Sequence, residues 1–422
     1  MRTDIISLAI FIICIAIFIW DRLPMATTAI LGCTVMVIAG VCDFKTAFGQ
    51  FASSTVILTM GVMVIGAAIA ETGLAEVIGR RIVRAAGTSQ TRLIVGTYLV
   101  SAALSAFLTN SAVLAIFIPI ITGLAAANRE IRAKNIIMPI AYGCVIGGSS
   151  TLVGSTQQMT AQGLLETANI QTFSTFSFIP VGCILVLLGL AYCLLYGVKR
   201  GEKIWGAAQA VPEQQPPKAG EGHDKKKMLL MAGIFGLTVV FYITEWLPIA
   251  ITSTGAALLC IITGCITQKK AIASINWNIV GRLAGCLGLA KALEAAGGTQ
   301  LISDLFGKLV GDSLSPFLLF AVLVLLTQLM GEFMSNSTAL LLVLPIVISI
   351  APGLGLNTYA FALGLTIACS MTLSCPLASS TLGMSMAVGY RFNDYFKYSL
   401  LFDALAYITV LITVPLFYGL TV

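Results

Sequence analysis

The sequence predicts an all-α polytopic membrane protein of two inverted-topology repeats, with about ten transmembrane helices plus two re-entrant helical hairpins. Three observations predict it. The 422 residues are 58% apolar and 10% charged, with a mean hydropathy of +0.97, where a soluble domain carries roughly a quarter charged residues. A polar cluster within an apolar run, Ser105-Ala106-Phe107-Leu108-Thr109-Asn110-Ser111, returns as Gly331-Glu332-Phe333-Met334-Ser335-Asn336-Ser337. Phe107 and Phe333, Asn110 and Asn336, Ser111 and Ser337, and Pro119 and Pro345 all stand 226 residues apart. Finally, the basic residues sort to one side of the path this repeat implies, as the positive-inside rule requires.

The elements follow in order. Residues 5–20 and 23–41 are apolar stretches that, with their flanks, can cross about 30 Å of hydrocarbon, joined by the turn Asp21-Arg22-Leu23-Pro24. That turn lacks a small-x-small cleavage pattern, so the first stretch reads as a span rather than a cleaved signal. A third span covers about 54–70. In 73–86, Leu74, Val77, Ile78 and Ile82 oppose Arg80, Arg81 and Arg84, the pattern of an interfacial amphipathic helix. Residues 92–126 hold the first polar cluster. Residues 135–165 form an apolar segment broken by Gly147-Gly148-Ser149-Ser150-Thr151 and Gly154-Ser155-Thr156-Gln157-Gln158, and 178–198 close the first repeat, 1–198.

Residues 199–227 are polar and rich in Lys and Pro, and read as a solvated linker. The second repeat, 228–422, follows the same plan. Glu245-Trp246-Leu247-Pro248 echoes Asp21-Arg22-Leu23-Pro24 at a spacing of 224, as 258–264 echoes 34–40. A span at 279–293, an interfacial helix at 297–310, the cluster-bearing segment 314–350, a segment 357–388 broken at Ser374-Cys375-Pro376-Leu377-Ala378-Ser379-Ser380-Thr381, and a last span at 398–418 complete it.

With five crossings and one hairpin per half, all Lys and Arg except Arg2, Lys45, Lys291 and Lys308 fall on one side, Arg282 included. That side is the cytoplasm, which places the linker inside and both termini outside. Five is odd, so the halves insert with opposite orientation. Arg92 and Arg129 bracket the first cluster on the same side, yet its turn is flanked by Phe107, Leu108, Ala112 and Val113. So apolar a turn fits at membrane depth, shielded by protein, which makes 92–126 a hairpin re-entering from inside and 314–350 its twin from outside.

Four interrupted backbones meeting at the midplane offer free helix N-terminal N–H groups, which favour an anion, and free carbonyl and hydroxyl oxygens, which favour a small hard cation. Ser, Thr and Asn also serve membrane helices as interhelical glue; two matching Asn-Ser pairs, each followed by a broken helix, argue for a site. Glu332, in an apolar arm, is either a structural partner or a coupling carboxylate. No Lys or Arg falls within either cluster or its paired loop, so amides, hydroxyls, helix ends and bound cations are expected to meet substrate charge. The single histidine, His223, lies in the linker, and the eleven cysteines lack CxxC spacing. Histidine-dependent membrane chemistry is thereby excluded, and the cysteines read as small apolar residues.

At these residues the chain resembles the divalent-anion:sodium symporter family, the di-/tricarboxylate and sulfate carriers of the ion transporter superfamily. Thr109-Asn110-Ser111 and Ser335-Asn336-Ser337 match its paired Ser-Asn-Thr hairpin tips with hydroxyl swaps. Gly154-Ser155-Thr156 and Ala378-Ser379-Ser380 fall where its small-residue loops stand. The resemblance implies an anion site of Asn110, Ser111, Ser155, Thr156, Asn336, Ser337, Ser379 and Ser380. It implies one sodium site at Ser105, Thr109, Asn110 and Gly154, and another at Gly331, Ser335, Asn336 and Ala378. It also implies a homodimer in the cell (inner) membrane, moving its cargo by an elevator-type mechanism with Na⁺ as coupling ion and with no organic cofactor, enzymatic activity or nucleic-acid partner. The family's loop prolines are replaced here by Thr156-Gln157 and Ser380-Thr381, and Gly331 stands where a hydroxyl is usual. The alternatives are a sodium-independent anion exchanger, and an arsenite or Na⁺/H⁺ antiporter-type permease.

Overall fold

Proline and glycine punctuate both halves at matching places. In the computed structural model, which describes residues 3–20, 23–87, 89–128, 131–205, 224–301, 315–376 and 379–421, helix α1 (Thr3–Trp20) leads to α2 (Met25–Ile38), and α12 (Lys225–Thr244) leads to α13 (Ile249–Ile262). Pro24 and Pro248 start α2 and α13 with near-identical backbones, φ −54° and −51°, as the fixed proline ring favours. Gly40 and Gly264 end them at φ 66° and 72°, a left-handed stop that glycine adopts without a Cβ clash. Both ends of α13 lie 224 residues beyond those of α2.

Next come the short α3 (Phe44–Phe48), α4 (Ser54–Glu71) and α5 (Leu74–Ala86) in the first half, and α14 (Gln268–Ser274) and α15 (Trp277–Ala295) in the second. The halves interlock here. α13 packs along α4, and α2 along α15. A Cβ on Gly61 would come within 2.9 Å of Ser253, and one on Gly285 within 2.9 Å of the Ala29 Cβ. Residues 61 and 285, like 29 and 253, are 224 apart, so one close helix crossing is built twice. Small residues permit such approach where lipid offers no hydrophobic drive to pack.

The two hairpins are α6 (Gln90–Ser105) with α7 (Asn110–Ala127), and α16 (Pro316–Phe333) with α17 (Asn336–Ile350). The broken helices are α8 (Ala133–Gly148) with α9 (Thr156–Thr167), and α18 (Thr358–Ser370) with α19 (Ser380–Ser385). The hairpins dock across the repeats: α17 lies against α9, and α7 against α19. The last long helix of each half is α10 (Ile179–Tyr192), continued through a π turn into α11 (Val198–Trp205), and α20 (Phe392–Tyr418). Among the described residues six helical stretches are long and apolar enough to cross a bilayer, 44–71, 110–127, 179–205, 225–244, 316–333 and 392–418, with five shorter apolar helices beside them.

Two boundaries differ from the sequence reading. The first half continues to Trp205 rather than loosening at residue 199, because the indole is buried, stacks on Tyr398 and donates from Nε1 to Asn135 Oδ1 at 2.7 Å. Lys225, Lys226 and Lys227 form the first turn of α12, where the Asp224 side chain accepts from the Lys226 N–H. Residues 206–223, with His223, and most of the expected interfacial helix at 297–310 lie outside the described residues.

Candidate functional site

Each hairpin turns just before its asparagine. Thr109 is the N-cap of α7 and Ser335 that of α17, with nearly equal backbones (φ −64°, ψ 133° and φ −58°, ψ 133°). Extended Ser155 and Ser379 hold the same place before α9 and α19. All four are residue types that usually cap helices through the side chain. None does so here, whereas Ser53, Thr267, Asn276, Ser315 and Asn357 cap α4, α14, α15, α16 and α18 in the ordinary way. The leading N–H groups of the hairpin and broken helices therefore stay available to a bound group, at their positive dipole ends.

These ends meet in cross-repeat pairs. Ser111 Oγ lies 2.9 Å from Ser380 Oγ and 3.3 Å from Thr381 Oγ1, while Ser337 Oγ lies 3.3 Å from Thr156 Oγ1. Ser111 corresponds to Ser337 and Thr156 to Ser380 in the repeat, so the two contacts are images of one another.

In the first repeat Ser105 Oγ donates to Asn110 Oδ1 at 2.6 Å, and Asn110 Nδ2 donates to Ser155 Oγ at 3.4 Å. Glycines let the broken helix close on this tip. A Cβ on Gly148 would run into Asn110 Oδ1, and one on Gly154 would sit 2.8 Å from the Ser105 carbonyl oxygen and closer still to that of Gly148. The Ser105 and Gly148 carbonyls and Asn110 Oδ1 thus gather in one place, the oxygen donors an alkali cation takes.

The second repeat exchanges the parts. Gly331 replaces Ser105, but Thr372 stands where Gly148 stood, and its Oγ1 donates to Asn336 Oδ1 at 3.1 Å. A Cβ on Gly331 would meet Thr372 Cγ2 at 2.8 Å. The hydroxyl absent from the hairpin arm is supplied by the broken helix. Of the predicted residues, Asn336 and Ser337 are buried, Ser335 is half-buried, and Ala378 lies outside the described residues.

Glu332 does not join these ligands. It faces the Asp403 carboxyl on α20 and lies beside the Ser374 and Cys375 backbone, yet neither of its oxygens makes a hydrogen bond of good geometry. Asp403 accepts from the Leu373 N–H at 3.2 Å and from Ser374 Oγ, and Gln328 Nε2 donates to the Met371 and Asp403 carbonyls at 3.1 and 3.0 Å. Together they pin the break after α18.

One sequence expectation is corrected outright. Arg282, counted with the loop charges, lies within α15, and its Nη1 donates to Ser335 Oγ at 3.3 Å. It lines a pocket with Thr59, Thr156, Met159, Thr160, Ile279 and Leu283, so a cation does adjoin a hairpin tip. Sequence reasoning missed Arg282, Asp403 and Thr372. The first two carried a usable signal, a lone charge inside an apolar stretch.

Comparison with known proteins bears on this geometry. Residues 15–368 match the family model CitMHS, described as citrate transporter. The chain belongs to the citrate transporter family. An uncharacterized transporter of Synechocystis sp. is 22% identical over 98% of this chain and 97% of its own length. A sodium-dependent dicarboxylate transporter, SdcS, of Staphylococcus saprophyticus is 21% identical over 88% of this chain and 78% of its own. The YdaH transporter of Alcanivorax borkumensis, whose crystal structure was described as an unusual topology, superposes with a TM-score of 0.67 at 14% identity over 89% of this chain and 88% of that one. The resemblance drawn from the paired motifs agrees with this membership. As a member of the citrate transporter family the protein is a multi-pass membrane transporter, not an enzyme.

Proposed function

We propose that this transporter carries small divalent anions, di- or tricarboxylates before sulfate, coupled to sodium. The observation that carries the reading is the pair of asparagine-centred tips, each with a hydroxyl donor on its amide oxygen and each facing the other repeat's broken helix. Uncapped N–H groups and the hydroxyls of Ser111, Ser155, Thr156, Ser337, Ser379 and Ser380 would hold the carboxylates. One sodium would sit among Ser105, Thr109, Asn110 and Gly154, and a second among Gly331, Ser335, Asn336 and Ala378. Thr372 supports the second site as Ser105 supports the first. Because Thr372 offsets Gly331, the exchanger reading loses the feature that favoured it. The dicarboxylate transporter among the relatives supports the substrate class and the sodium dependence. The family resemblance supports a homodimer in the inner membrane, and the charge bias a cytoplasmic linker with both termini outside.

The test is uptake of labelled succinate into proteoliposomes under an inward sodium gradient, then with potassium replacing sodium. Sodium-dependent uptake is expected. Equal uptake in potassium that requires an anion trapped inside would replace symport with exchange.

A second reading, coupling to protons, is favoured by the facing Glu332 and Asp403 carboxyls. Two acceptors can bond to each other only through a shared proton or a cation. Under it, Glu332→Gln abolishes uptake driven by a pH gradient while sodium binding survives.

A further inference from the structure

We infer that Arg282 is the counter-charge for one carboxylate or oxyanion group of the substrate, presented from α15 to the tip of the second hairpin. The inference deepens the proposed function and rests on that reading. A guanidinium within a membrane helix calls for a partner. No carboxylate pairs with Arg282 among the described residues; its one hydrogen-bond partner is the neutral Ser335 hydroxyl at 3.3 Å. The rest of its pocket is threonine hydroxyl and apolar surface: Thr59, Thr156, Thr160, Met159, Ile279 and Leu283.

What surrounds it is positive as well. α17 begins one residue after Ser335, and α9 begins at Thr156 in the pocket wall, so two uncapped helix N-termini adjoin the guanidinium. Three positive ends facing one small space repel one another unless an anion stands between them. A carboxylate there would accept from the guanidinium fork and from backbone N–H groups, the strongest hydrogen bonds such a group can make. A monoanion would fill only one end of the site, so Arg282 would set the preference for two negative groups.

Its location adds a consequence. α15 packs mainly on α2 and α3 and also touches α9, the broken helix of Thr156, whereas Ser335 belongs to the second hairpin. Movement of the hairpins along α15 would make or break the charge contact, tying anion affinity to their position.

The test uses the full-length protein in detergent and in proteoliposomes, as wild type, R282K, R282Q and R282M. R282Q is expected to raise the succinate KM about 10-fold or more, as loss of a charge-assisted bond would. Selectivity for succinate over a monocarboxylate should fall. R282K should be intermediate. Without substrate, R282Q and R282M should melt at or above the wild-type temperature, because an uncompensated charge has been removed, and their succinate-induced shift should disappear. A merely structural arginine would instead lower the substrate-free melting temperature and leave the shift intact, overturning the inference. So would an unchanged KM and selectivity in R282Q. Wild-type protein that ignores succinate, citrate and sulfate alike sinks the underlying reading, and this inference with it.

Discussion

Position 331 has no side chain where its counterpart Ser105 has one, and position 372 has one where its counterpart Gly148 has none. In the first repeat the hydroxyl on the asparagine amide comes from Ser105 and glycine stands at 148; in the second it comes from Thr372 and glycine stands at 331. In the second repeat a side chain at both places would collide, and one at neither would leave the Asn336 amide oxygen without this donor. Thr372→Val, which keeps the volume, is expected to raise the half-saturating sodium concentration several-fold, since a buried acceptor left unpaired costs about 1–3 kcal/mol. Gly331→Ser alone should destabilise the second site by collision. Gly331→Ser with Thr372→Gly should recover much of the loss, a coupling that a double-mutant cycle measures; purely additive effects would mean that the swap is coincidental. Asn110→Ala and Asn336→Ala each remove the amide at the centre of a tip. Either should lower transport by about 100-fold or more while leaving the protein folded, as read by uptake beside gel filtration.

At the scale of elements, one contact holds frame helices of the two halves together and another fastens a broken helix to them. The doubled crossing of α4 with α13 and α2 with α15 depends on Gly61 and Gly285, where an added Cβ would stand 2.9 Å from Ser253 and Ala29. Gly61→Ala and Gly285→Ala should each cost roughly 1–3 kcal/mol, the usual range for overpacking, seen as a lower melting temperature in detergent. A wild-type melting curve for both would show that this crossing yields easily. The second contact lies at the end of α9, where Glu166 accepts from Ser54 Oγ and, at 2.9 Å, from Thr55 Oγ1 at the start of α4. Lys291 Nζ on α15 reaches the Thr167 carbonyl beside it at 2.7 Å. The end of α9 is thus fastened to both α4 and α15. A Ser54→Cys/Glu166→Cys pair, made with the exposed Cys183 removed, should stop uptake when oxidised and recover it on reduction. Undiminished uptake in the cross-linked protein would mean that α9 never leaves α4 during the cycle.

For the molecule as a whole, the proposed site draws on both halves. Each half sets a hairpin-tip serine against the other half's broken helix, Ser111 against Ser380 and Ser337 against Thr156. Under the proposed function the paired tips would hold a substrate with a negative group at each end, which uptake of succinate compared with a monocarboxylate tests. The two tips also differ in exposure: Thr109 is exposed where its counterpart Ser335 is half-buried, and Asn110 is half-buried where its counterpart Asn336 is buried. Two copies of one motif in a single conformation cannot both be open to solvent equally if access alternates between sides.

The sequence determined by itself the repeat, the hairpins, the broken helices and the residue types at their tips. Hydropathy, Pro and Gly punctuation and polar interruptions are local properties, and a constant spacing near 224 to 226 residues makes their doubling visible. The halves' division at 199 was legible only approximately, because Trp205 is held by Asn135 and Tyr398, partners distant in the chain. Only the tertiary structure decided which side chains share the site. Thr372 replaces Ser105 from another element, Glu332 faces Asp403 rather than its own neighbour Asn336, and Arg282 leaves the loop charges to stand beside Ser335. The reason is physical. Spacing along a chain reports which face of its own helix a residue occupies, whereas the partner of a polar group within a membrane is chosen by how helices from both halves pack.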